Sequence, residues 1–428
     1  MDRRRRSRRH FLKTIGVSTV AVGLGGLPFG QARAQEDGST FLYVSNFGDN
    51  SLSRFQVGPD GNLTSLGRPF THETFNRNDR IEAVQDPSTL FVSNLAGEGG
   101  INVLELNDDG SLDVAETSPA ATGFLFNDLE LTEDERWLLA RFNGRSASQR
   151  AAQDIEEPPP LRRLAGLQMG SAQAGVVPFD LAAGSAVDGS PGVSFPPMSS
   201  AIGPSGGLSS SHNTAFATTP RGPASPILAQ AESSGSSGLI NVGFDLDTNE
   251  SILQRVSFNE NSGELELVHE SRVSGLVWAV TASPDGFFYA PNRDQNAIHV
   301  LTPSGELLGE TAPNQAGAQG PNGATVHPNG RFLFLTNHVT SNVSVFRIHE
   351  DGGLEPGPGS FITFGNDTTT NASGEPTVSH DGTRLYVTNP QSNDVTVFRI
   401  NQDTGQLTFV STFPTGRFPL GIEEVSFG

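Results

Sequence analysis

The chain has no cysteine and a single lysine, Lys13, among its 428 residues. The absence of cysteine excludes disulfides, thiolate metal sites, c-type haem attachment and a thiol nucleophile. Stability must therefore come from apolar burial, which a chain of this length can supply. Long apolar runs are also missing after residue 34, so we expect no membrane-spanning helix in the rest of the chain.

Positive charge is scarce beyond the first 34 residues. That segment holds eight Lys and Arg residues and one Asp, which leaves 19 basic and 46 acidic residues in 35–428, a net charge of −27. Such a surface repels nucleic acids and anionic membranes, so we expect neither as a partner. The acidity is explained either by solubility, as in a salty habitat, or by a cation-binding surface.

The N-terminal segment has the features of an export signal. A basic run at 3–6 precedes the residues SRRHFLK at 7–13, a mildly apolar stretch over 14–27 and an Ala-x-Ala sequence at 32–34. This order predicts a twin-arginine signal peptide over 1–34, recognised by the twin-arginine translocase and cleaved near Ala34. The mature protein would then be periplasmic or extracellular. The alternative is a basic tail or a membrane anchor.

The chain repeats with a period near 48 residues. A five-residue segment ending in asparagine recurs at 42–46, 90–94, 288–292, 333–337 and 385–389. The interval is 48 residues from Asn46 to Asn94, 45 from Asn292 to Asn337 and 52 from Asn337 to Asn389. A period of about 40 to 50 residues with only strand-like segments is typical of a β-propeller, in which each repeat forms a small sheet called a blade.

One repeat contains four strands, which we call A (375–379), B (385–389), C (394–400) and D (407–411). A Gly-x-Leu turn joins C to D, because glycine tolerates the positive φ that tight hairpins need. The glycines of this recurring turn are Gly61, Gly110, Gly263, Gly305, Gly352 and Gly405. We predict an all-β propeller of seven four-stranded antiparallel blades. The terminal segment 421–427 resembles a strand A and should complete the first blade as its innermost strand, which removes an open sheet edge.

The blade count depends on the middle of the chain. Segments 137–141 and 239–243 occupy the B position, and their last residues are 102 residues apart, twice the period. Between them, 143–225 offers one C–D pair, at 175–181 and 193–195, and is otherwise rich in Pro, Ser and Gly. We interpret it as an insertion of the third blade, with 143–174 joining B to C at the mouth of the channel. Residues 35–428 then form a single seven-bladed domain, with eight blades as the alternative.

These repeats resemble the lactonase-type seven-bladed propellers, which include the propeller-type 6-phosphogluconolactonases and the YVTN repeat proteins. The residues that carry the likeness are GPNG at 320–323, HPNG at 327–330, FLTN at 334–337, and HDG at 380–382 with LYVTN at 385–389. The resemblance implies a lactone-hydrolysing enzyme with His, Arg and Glu side chains on the channel-facing strands. The family's enzymes typically have a Pro-His-x-His-like motif in a middle blade, whereas the equivalent strand here, at 126–130, has no histidine.

Strand A of each blade lines the central channel, and its first residues face the mouth. We predict a ligand-binding set there, composed of Arg80, Glu82, Asp128, Glu130, Trp278, Asn322, Glu375 and Glu423. Converging carboxylates suit general acid–base catalysis or a hard cation such as Ca²⁺, and the alternative is an ordinary water-filled polar channel. Trp278 would either stack on a sugar-like ring or pack in the core. Glu232 and Glu424 are further acids at these positions, and no organic cofactor is expected.

No metalloprotease, P-loop or nucleophile-elbow motif occurs in the sequence. His327 and His380 fall at A–B turns on the face opposite the mouth, whereas His338 follows a strand B and can reach the mouth. Three functions therefore stay open. The first is an exported lactonase-like hydrolase of a small lactone or carbohydrate-derived ligand. The second is a non-catalytic binding or scaffold propeller with a partner protein in the cell envelope. The third, an oxidoreductase subunit with a quinone-like cofactor, has no haem or copper ligand in its favour.

Overall fold

The computed structural model describes residues 39–84, 89–115, 118–119, 124–131, 137–145, 175–181, 236–245, 248–259, 264–309, 312–363 and 374–427. These residues belong to one compact unit, Gly38–Gly428. The described residues contain no helix. This part of the chain therefore includes no helix that is long and apolar enough to cross a membrane. The proposed signal peptide, Glu232, Gly263 and the 193–195 strand lie outside the described residues.

The strands follow one another along the chain in groups that match the repeats. The first two groups are β1 (Thr40–Asn46), β2 (Ser51–Val57), β3 (Leu63–Ser65), β4 (Phe70–Thr71), and β5 (Asn78–Val84), β6 (Thr89–Asn94), β7 (Ile101–Leu106), β8 (Leu112–Val114). The next two are β9 (Phe124–Leu131), β10 (Trp137–Arg145), β11 (Gly175–Asp180), and β12 (Ser236–Asp245), β13 (Glu250–Asn259), β14 (Glu264–Ser274). Then come β15 (Thr281–Ala282), β16 (Phe288–Asn292), β17 (Ala297–Leu301), β18 (Ala312–Pro313), and β19 (Pro321–Val326), β20 (Phe332–Asn337), β21 (Asn342–Ile348), β22 (Leu354–Ile362). The last are β23 (Pro376–Val378), β24 (Arg384–Asn389), β25 (Asp394–Ile400), β26 (Leu407–Pro414) and β27 (Pro419–Ser426).

These strands form seven antiparallel sheets within the described residues, which we number as blades 1 to 7 in chain order. Blade 1 has the order β27-β1-β2-β3, with β4 also paired to β2, and blade 2 has the order β5-β6-β7-β8. Blades 3 and 4 contain β9-β10-β11 and β12-β13-β14, and blades 5, 6 and 7 run β15–β18, β19–β22 and β23–β26. We call β27, β5, β9, β15, β19 and β23 the inner strands. The predicted all-β propeller architecture is thus confirmed.

The last strand of the chain completes the first blade. β27 pairs antiparallel with β1, with Thr40 opposite Ser426 and Tyr43 opposite Glu423. The Phe427 N–H adds a bond of 3.0 Å to the Ser39 carbonyl. Blade 1 is therefore built from both ends of the propeller chain, and β1 has no open edge.

The core is divided into seven apolar clusters, one at each junction between neighbouring blades. The clusters pair side chains of blades 1–2, 2–3, 3–4, 4–5, 5–6, 6–7 and 7–1 in turn. At the junction of blades 3 and 4, the Trp137 ring packs edge-on against Phe258 with centroids 5.3 Å apart. These two blades therefore touch directly, and the sheets within the described residues form a ring of seven. The β10–β11 pairing also makes 146–174 the connection between two adjacent strands of blade 3.

The recurring asparagine at the end of strand B is a structural residue. The buried Asn46 amide donates to the hydroxyls of Ser51 at 2.9 Å and Ser53 at 3.0 Å, which lie five and seven positions later. Asn337 and Asn389 make the same donations to side chains five and seven positions on. This side chain therefore fixes the turn between strands B and C in blades 1, 6 and 7, at the mouth end of each blade. Without it, buried polar groups in the turn would be left without partners.

Candidate active site in the channel

The residue just before this asparagine carries a hydroxyl that fixes the inner strand. Ser93 Oγ accepts a hydrogen bond from the Arg80 N–H, and Thr388 Oγ1 accepts one from the Glu375 N–H, each at 2.9 Å. The hydroxyls of Ser45 and Thr336 accept equivalent bonds from the N–H groups of Gly421 and Gly323. The residues fixed in this way therefore occupy one position on the inner strands. We call this the upper layer of the channel; by register it also includes Asp128 and Ala279.

The upper layer contains a three-membered ion network. The Arg80 guanidinium lies 3.2 Å from a carboxylate oxygen of Asp128 in blade 3 and also pairs with Glu375 in blade 7. The side chains of Arg80, Asp128 and Glu375 are 16%, 7% and 24% exposed, so the network is largely shielded from bulk water. Shielding strengthens such contacts relative to surface ion pairs. Glu375 is the most accessible of the three.

Gly421 makes this network sterically feasible. Blade 1 lies between blades 7 and 2, and at this level it contributes only Gly421. A Cβ on Gly421 would clash with the Asp79 carbonyl oxygen and lie 3.1 Å from the Arg80 Cα. The absence of a side chain thus lets the inner strand of blade 2 approach blade 1 closely, and Arg80 reaches past it to Glu375.

Two residues further along each inner strand lies a lower layer. Its members pair with strand B residues that pack against the following blade. The pairs are Glu423 with Tyr43, Glu82 with Phe91, Glu130 with Leu139, Thr281 with Tyr289, Thr325 with Phe334 and Thr377 with Tyr386. All six lower-layer residues are partly exposed, as expected for side chains that line a channel. Blades 1 to 3 contribute three carboxyl groups, and blades 5 to 7 contribute three threonine hydroxyls.

Two carboxyl groups of the lower layer, those of Glu423 and Glu82, bind protons unusually tightly. Burial first, and then the nearby charges of Glu424 and Glu130, raise the pKa of Glu423 to about 8. Burial, followed by the charges of Glu423, Glu130 and Asp128, raises the pKa of Glu82 well above its ordinary value. Both side chains keep some accessible surface yet lie deep within the protein, so the low-dielectric surroundings disfavour the charged form. At neutral pH, Glu423 is therefore largely a protonated acid.

Trp278 and Asn322 lie on the other side of the channel, in blades 5 and 6. The Arg293 guanidinium carbon is 5.6 Å from the centroid of the Trp278 ring, within cation–π range. Burial, and then the charge of Arg293, lower the pKa of His338, which follows strand B of blade 6. Asn322 is 7% exposed, and its carbonyl oxygen has no hydrogen-bond partner in the described part of the chain. Arg293 thus connects Trp278 and His338, and we call these three residues the mouth cluster.

Sequence reasoning missed several residues that build this site. Gly421 and the threonines of the lower layer carry no charge, so a search for chemically reactive residues passes over them. An alignment of the inner strands, read at every second position, would have identified Gly421 and the lower-layer threonines. Glu424, predicted as a further acid of the channel, faces away from it: its carboxylate accepts bonds from the Tyr386 hydroxyl at 2.6 Å and the backbone N–H of His380 at 3.1 Å.

The arrangement supplies an acid, a base and a cation within one channel. Glu423 can donate a proton, Glu375 can accept one at the mouth end, and Arg80 can stabilise negative charge that develops on an oxygen. The described residues contain no group of three or more His, Asp or Glu side chains arranged to hold a metal ion.

The comparisons with known proteins agree with this architecture. The family model described as "Lactonase, 7-bladed beta-propeller" matches residues 253–357 and 314–423. A 6-phosphogluconolactonase from Yersinia pestis is 29% identical over 101 residues, which are 23% of this chain and only 28% of that enzyme. The predicted resemblance is thus confirmed: residues 253–423 of this chain match the model of the lactonase-type seven-bladed propellers.

Solved structures extend the likeness of the fold to nearly the whole chain. A candidate 6-phosphogluconolactonase from Bacteroides fragilis superimposes with a TM-score of 0.60 at 14% identity, covering 92% of this chain and 100% of that one. The periplasmic gluconolactonase of Pseudomonas aeruginosa gives a TM-score of 0.59 at 15% identity, covering 91% and 99%. At these identities the similarity concerns the fold, and the chemistry must be argued from the site.

Proposed function

We propose that this protein binds and hydrolyses a small lactone in the channel, at the Arg80 network and the carboxyl layer beneath it. The observation that supports this best is an Arg80 held between Asp128 and Glu375, above a Glu423 whose pKa is raised by burial. Opening a lactone needs an acid for the leaving ring oxygen and a base for the attacking water, and this site offers both. The names of the relatives support the same reaction class.

In the proposed reaction, Glu375 takes a proton from water as the water oxygen attacks the lactone carbonyl carbon. Arg80 stabilises the oxyanion that forms on the carbonyl oxygen. The ring C–O bond then breaks, and Glu423 gives its proton to the departing ring oxygen. The product is a hydroxy acid, and its formation consumes one water without any oxidant or reductant. Proton exchange with solvent then returns Glu375 to its carboxylate and Glu423 to its acid form. Each role follows from a group's position and protonation state.

Lactone hydrolysis by the purified protein, corrected for the uncatalysed rate, tests this proposal. We expect Glu375→Gln and Arg80→Ala each to lower kcat/KM by about 100-fold, the usual scale for loss of acid–base or oxyanion groups. Glu355→Gln and Arg347→Ala are matched controls, because that pair is about half exposed on the outer strands of blade 6. Turnover should also fall as the pH rises through about 8, where Glu423 loses its proton.

The absence of turnover on any lactone, with or without a divalent cation, would contradict the enzymatic function. The protein would then be a non-catalytic binding or scaffold propeller, with a partner in the cell envelope. Unchanged rates in Glu375→Gln would leave lactone hydrolysis in place but contradict the assignment of the base.

We also propose export by the twin-arginine route, which the order of basic run, apolar stretch and Ala-x-Ala sequence in residues 1–34 supports. Mass spectrometry of the protein recovered from the periplasm or medium should give an N-terminus near Gln35. Changing Arg8 and Arg9 to lysine should leave the precursor in the cytoplasm. Secretion that is unaffected by this change would contradict the proposal.

A further inference from the structure

The two halves of the channel differ in chemistry. In the lower layer, carboxyl groups from blades 1 to 3 face the channel opposite threonines from blades 5 to 7. The upper layer contributes Ala279 above Thr281 and Gly323 above Thr325, both small and buried, whereas Glu375 lies above Thr377. The wall formed by blades 5 and 6 therefore leaves room for a ligand, and the polar groups of blades 1 to 3 can contact that ligand from the opposite wall.

The charge on the channel wall is strongly one-sided. Arg80 is the one Lys or Arg residue on the inner strands, as far as the structure describes them, and five carboxyl groups accompany it in the two layers. Two of these, Asp128 and Glu375, already pair with Arg80. A phosphate group entering the channel would find no uncommitted cation there, and it would lie among acidic groups that are either carboxylates of the same sign or neutral acids that do not compensate its charge.

The polar groups of the channel wall are suited to bind the hydroxyl groups of a ligand rather than a phosphate. Carboxylates accept hydrogen bonds from hydroxyl donors, and threonine hydroxyls both donate and accept. Thr377 donates to the Ile422 carbonyl at 3.3 Å, whereas the side chains of Thr281 and Thr325 make no hydrogen bond within the described residues. Those two hydroxyls are therefore available to a ligand.

We propose that the channel selects an uncharged, polyhydroxylated lactone and rejects a lactone that carries a phosphate group. This inference rests on the lactonase function proposed above and specifies its substrate class. Glu82, Glu130 and Glu423 are the residues that determine this specificity, and Thr281 and Thr325 complement them from the opposite wall.

Steady-state kinetics and binding together test the proposal. We expect kcat/KM for glucono-δ-lactone to exceed that for its 6-phosphate by about 10- to 100-fold at low salt, the discrimination that like-charge contacts give. Binding of the non-hydrolysable gluconolactam and its 6-phosphate, measured by calorimetry, should show the same order. The difference should shrink at about 1 M salt, because the screening length then falls to roughly 3 Å.

Variants identify the source of the discrimination. Glu130→Gln should narrow the ratio between the two lactams, whereas Glu266→Gln, on the exposed outer strand of blade 4, should leave it unchanged. Arg293→Ala tests the mouth cluster, and loss of phosphorylated-lactam binding in this variant would show that Arg293 accepts the phosphate and would overturn the proposal.

The outcomes separate this inference from the proposed function. Binding of the neutral lactam without turnover of any lactone would contradict the enzymatic function and leave the selectivity intact. Equal or tighter binding of the phosphorylated lactam would overturn the selectivity even if lactones are hydrolysed. Failure of both lactams to bind would refute the inference, because a ligand of the proposed class would then be rejected too.

Discussion

At the residue scale, the site depends as much on an absent side chain as on charged ones. Gly421 occupies the upper-layer position in blade 1, between the two blades that supply Arg80 and Glu375. The neighbouring inner strand approaches so closely that even a methyl group would meet the backbone of Asp79 and Arg80. Backbone atoms cannot move aside as a flexible side chain can, so the position requires glycine for steric reasons.

Replacing this glycine should therefore damage both stability and activity. We expect Gly421→Ala to lower the free energy of unfolding by about 1–3 kcal/mol, the usual cost of overpacking. It should also lower kcat/KM about tenfold or more, because Arg80 is displaced. Urea unfolding and lactone kinetics measure the two effects. Gly353→Ala, in a partly exposed turn of blade 6, is the control. An equal loss of stability and activity in Gly421→Ala and Gly353→Ala would contradict the steric role of Gly421.

Glu423 makes stability depend on pH. Its carboxyl has a pKa of about 8 in the folded protein against an ordinary value of 4.5. The folded state therefore holds this proton more tightly than the unfolded state. The resulting stabilisation is complete below about pH 4.5 and is lost as the pH rises through about 8.

Glu423→Gln should remove this dependence. The stability of the variant relative to the natural protein should rise between pH 5 and pH 9, because glutamine has no proton to lose. Urea midpoints measured across that range test the prediction. The exposed Glu355→Gln serves as control, and parallel pH profiles for Glu423→Gln and the natural protein would disprove it.

At the scale of the elements, the hydroxyl before each strand B asparagine connects the repeat to the site. Thr388 Oγ1 accepts the Glu375 N–H at 2.9 Å and donates to the Leu420 carbonyl at 3.1 Å, so one side chain joins the inner strands of blades 7 and 1. Ser93 holds the Arg80 backbone in the same way. The repeated Ser/Thr-Asn pair thus sets the backbone positions from which the ion network is built.

Removing the hydroxyl should loosen both inner strands. We expect Thr388→Val to cost about 1–3 kcal/mol of unfolding free energy, since the buried groups lose their partner, and to lower activity. Thr388→Ser keeps the hydroxyl and should retain most of both properties. Chemical denaturation and lactone turnover of the two variants provide the comparison. Equal stability and activity of Thr388→Ser and Thr388→Val would show that the hydroxyl does not hold the inner strands in place.

The repeat made the strands predictable, but it could not reveal how the channel side chains combine. Strand B, the Gly-x-Leu turn and the closing strand all follow from local pattern, and the structure places positive φ at Gly61, Gly110 and Gly405 as the turn requires. The Arg80–Glu375 pair joins blades 2 and 7, and only the closed ring brings residues so distant in the chain together. Sequence alone also gives no measure of burial, which is the main cause of the raised pKa of Glu423.

At the scale of the whole molecule, the seven junction clusters form a continuous apolar ring that β27 completes. Val425 of β27 packs in the cluster between blades 1 and 2, and Ile422 packs in the one between blades 7 and 1. Both junctions lose apolar contacts if this strand is missing. Because each blade buries its faces only against its neighbours, the damage reaches the adjacent blades.

Deleting residues 419–428 should abolish the cooperative unfolding transition and cause aggregation through the exposed edge of β1. A circular permutant with a short Gly/Ser linker between Ser426 and Thr40, and new ends in the exposed turn at 402–404, should stay folded, because these joined residues already face each other. Thermal melts and size-exclusion chromatography of the deletion variant and of the permutant test these two predictions. A deletion variant as stable as the full chain would contradict the structural role of β27.

The pairing of β27 with β1 also has a kinetic consequence during biosynthesis. The ribosome makes β1 before the other described strands and the eight residues of β27 after them, so blade 1 has to wait for those strands before its inner strand is made. Until then, the nascent polypeptide offers an unsatisfied strand to chaperones or to neighbouring chains. The propeller can therefore reach its native state only after β27 has left the ribosome.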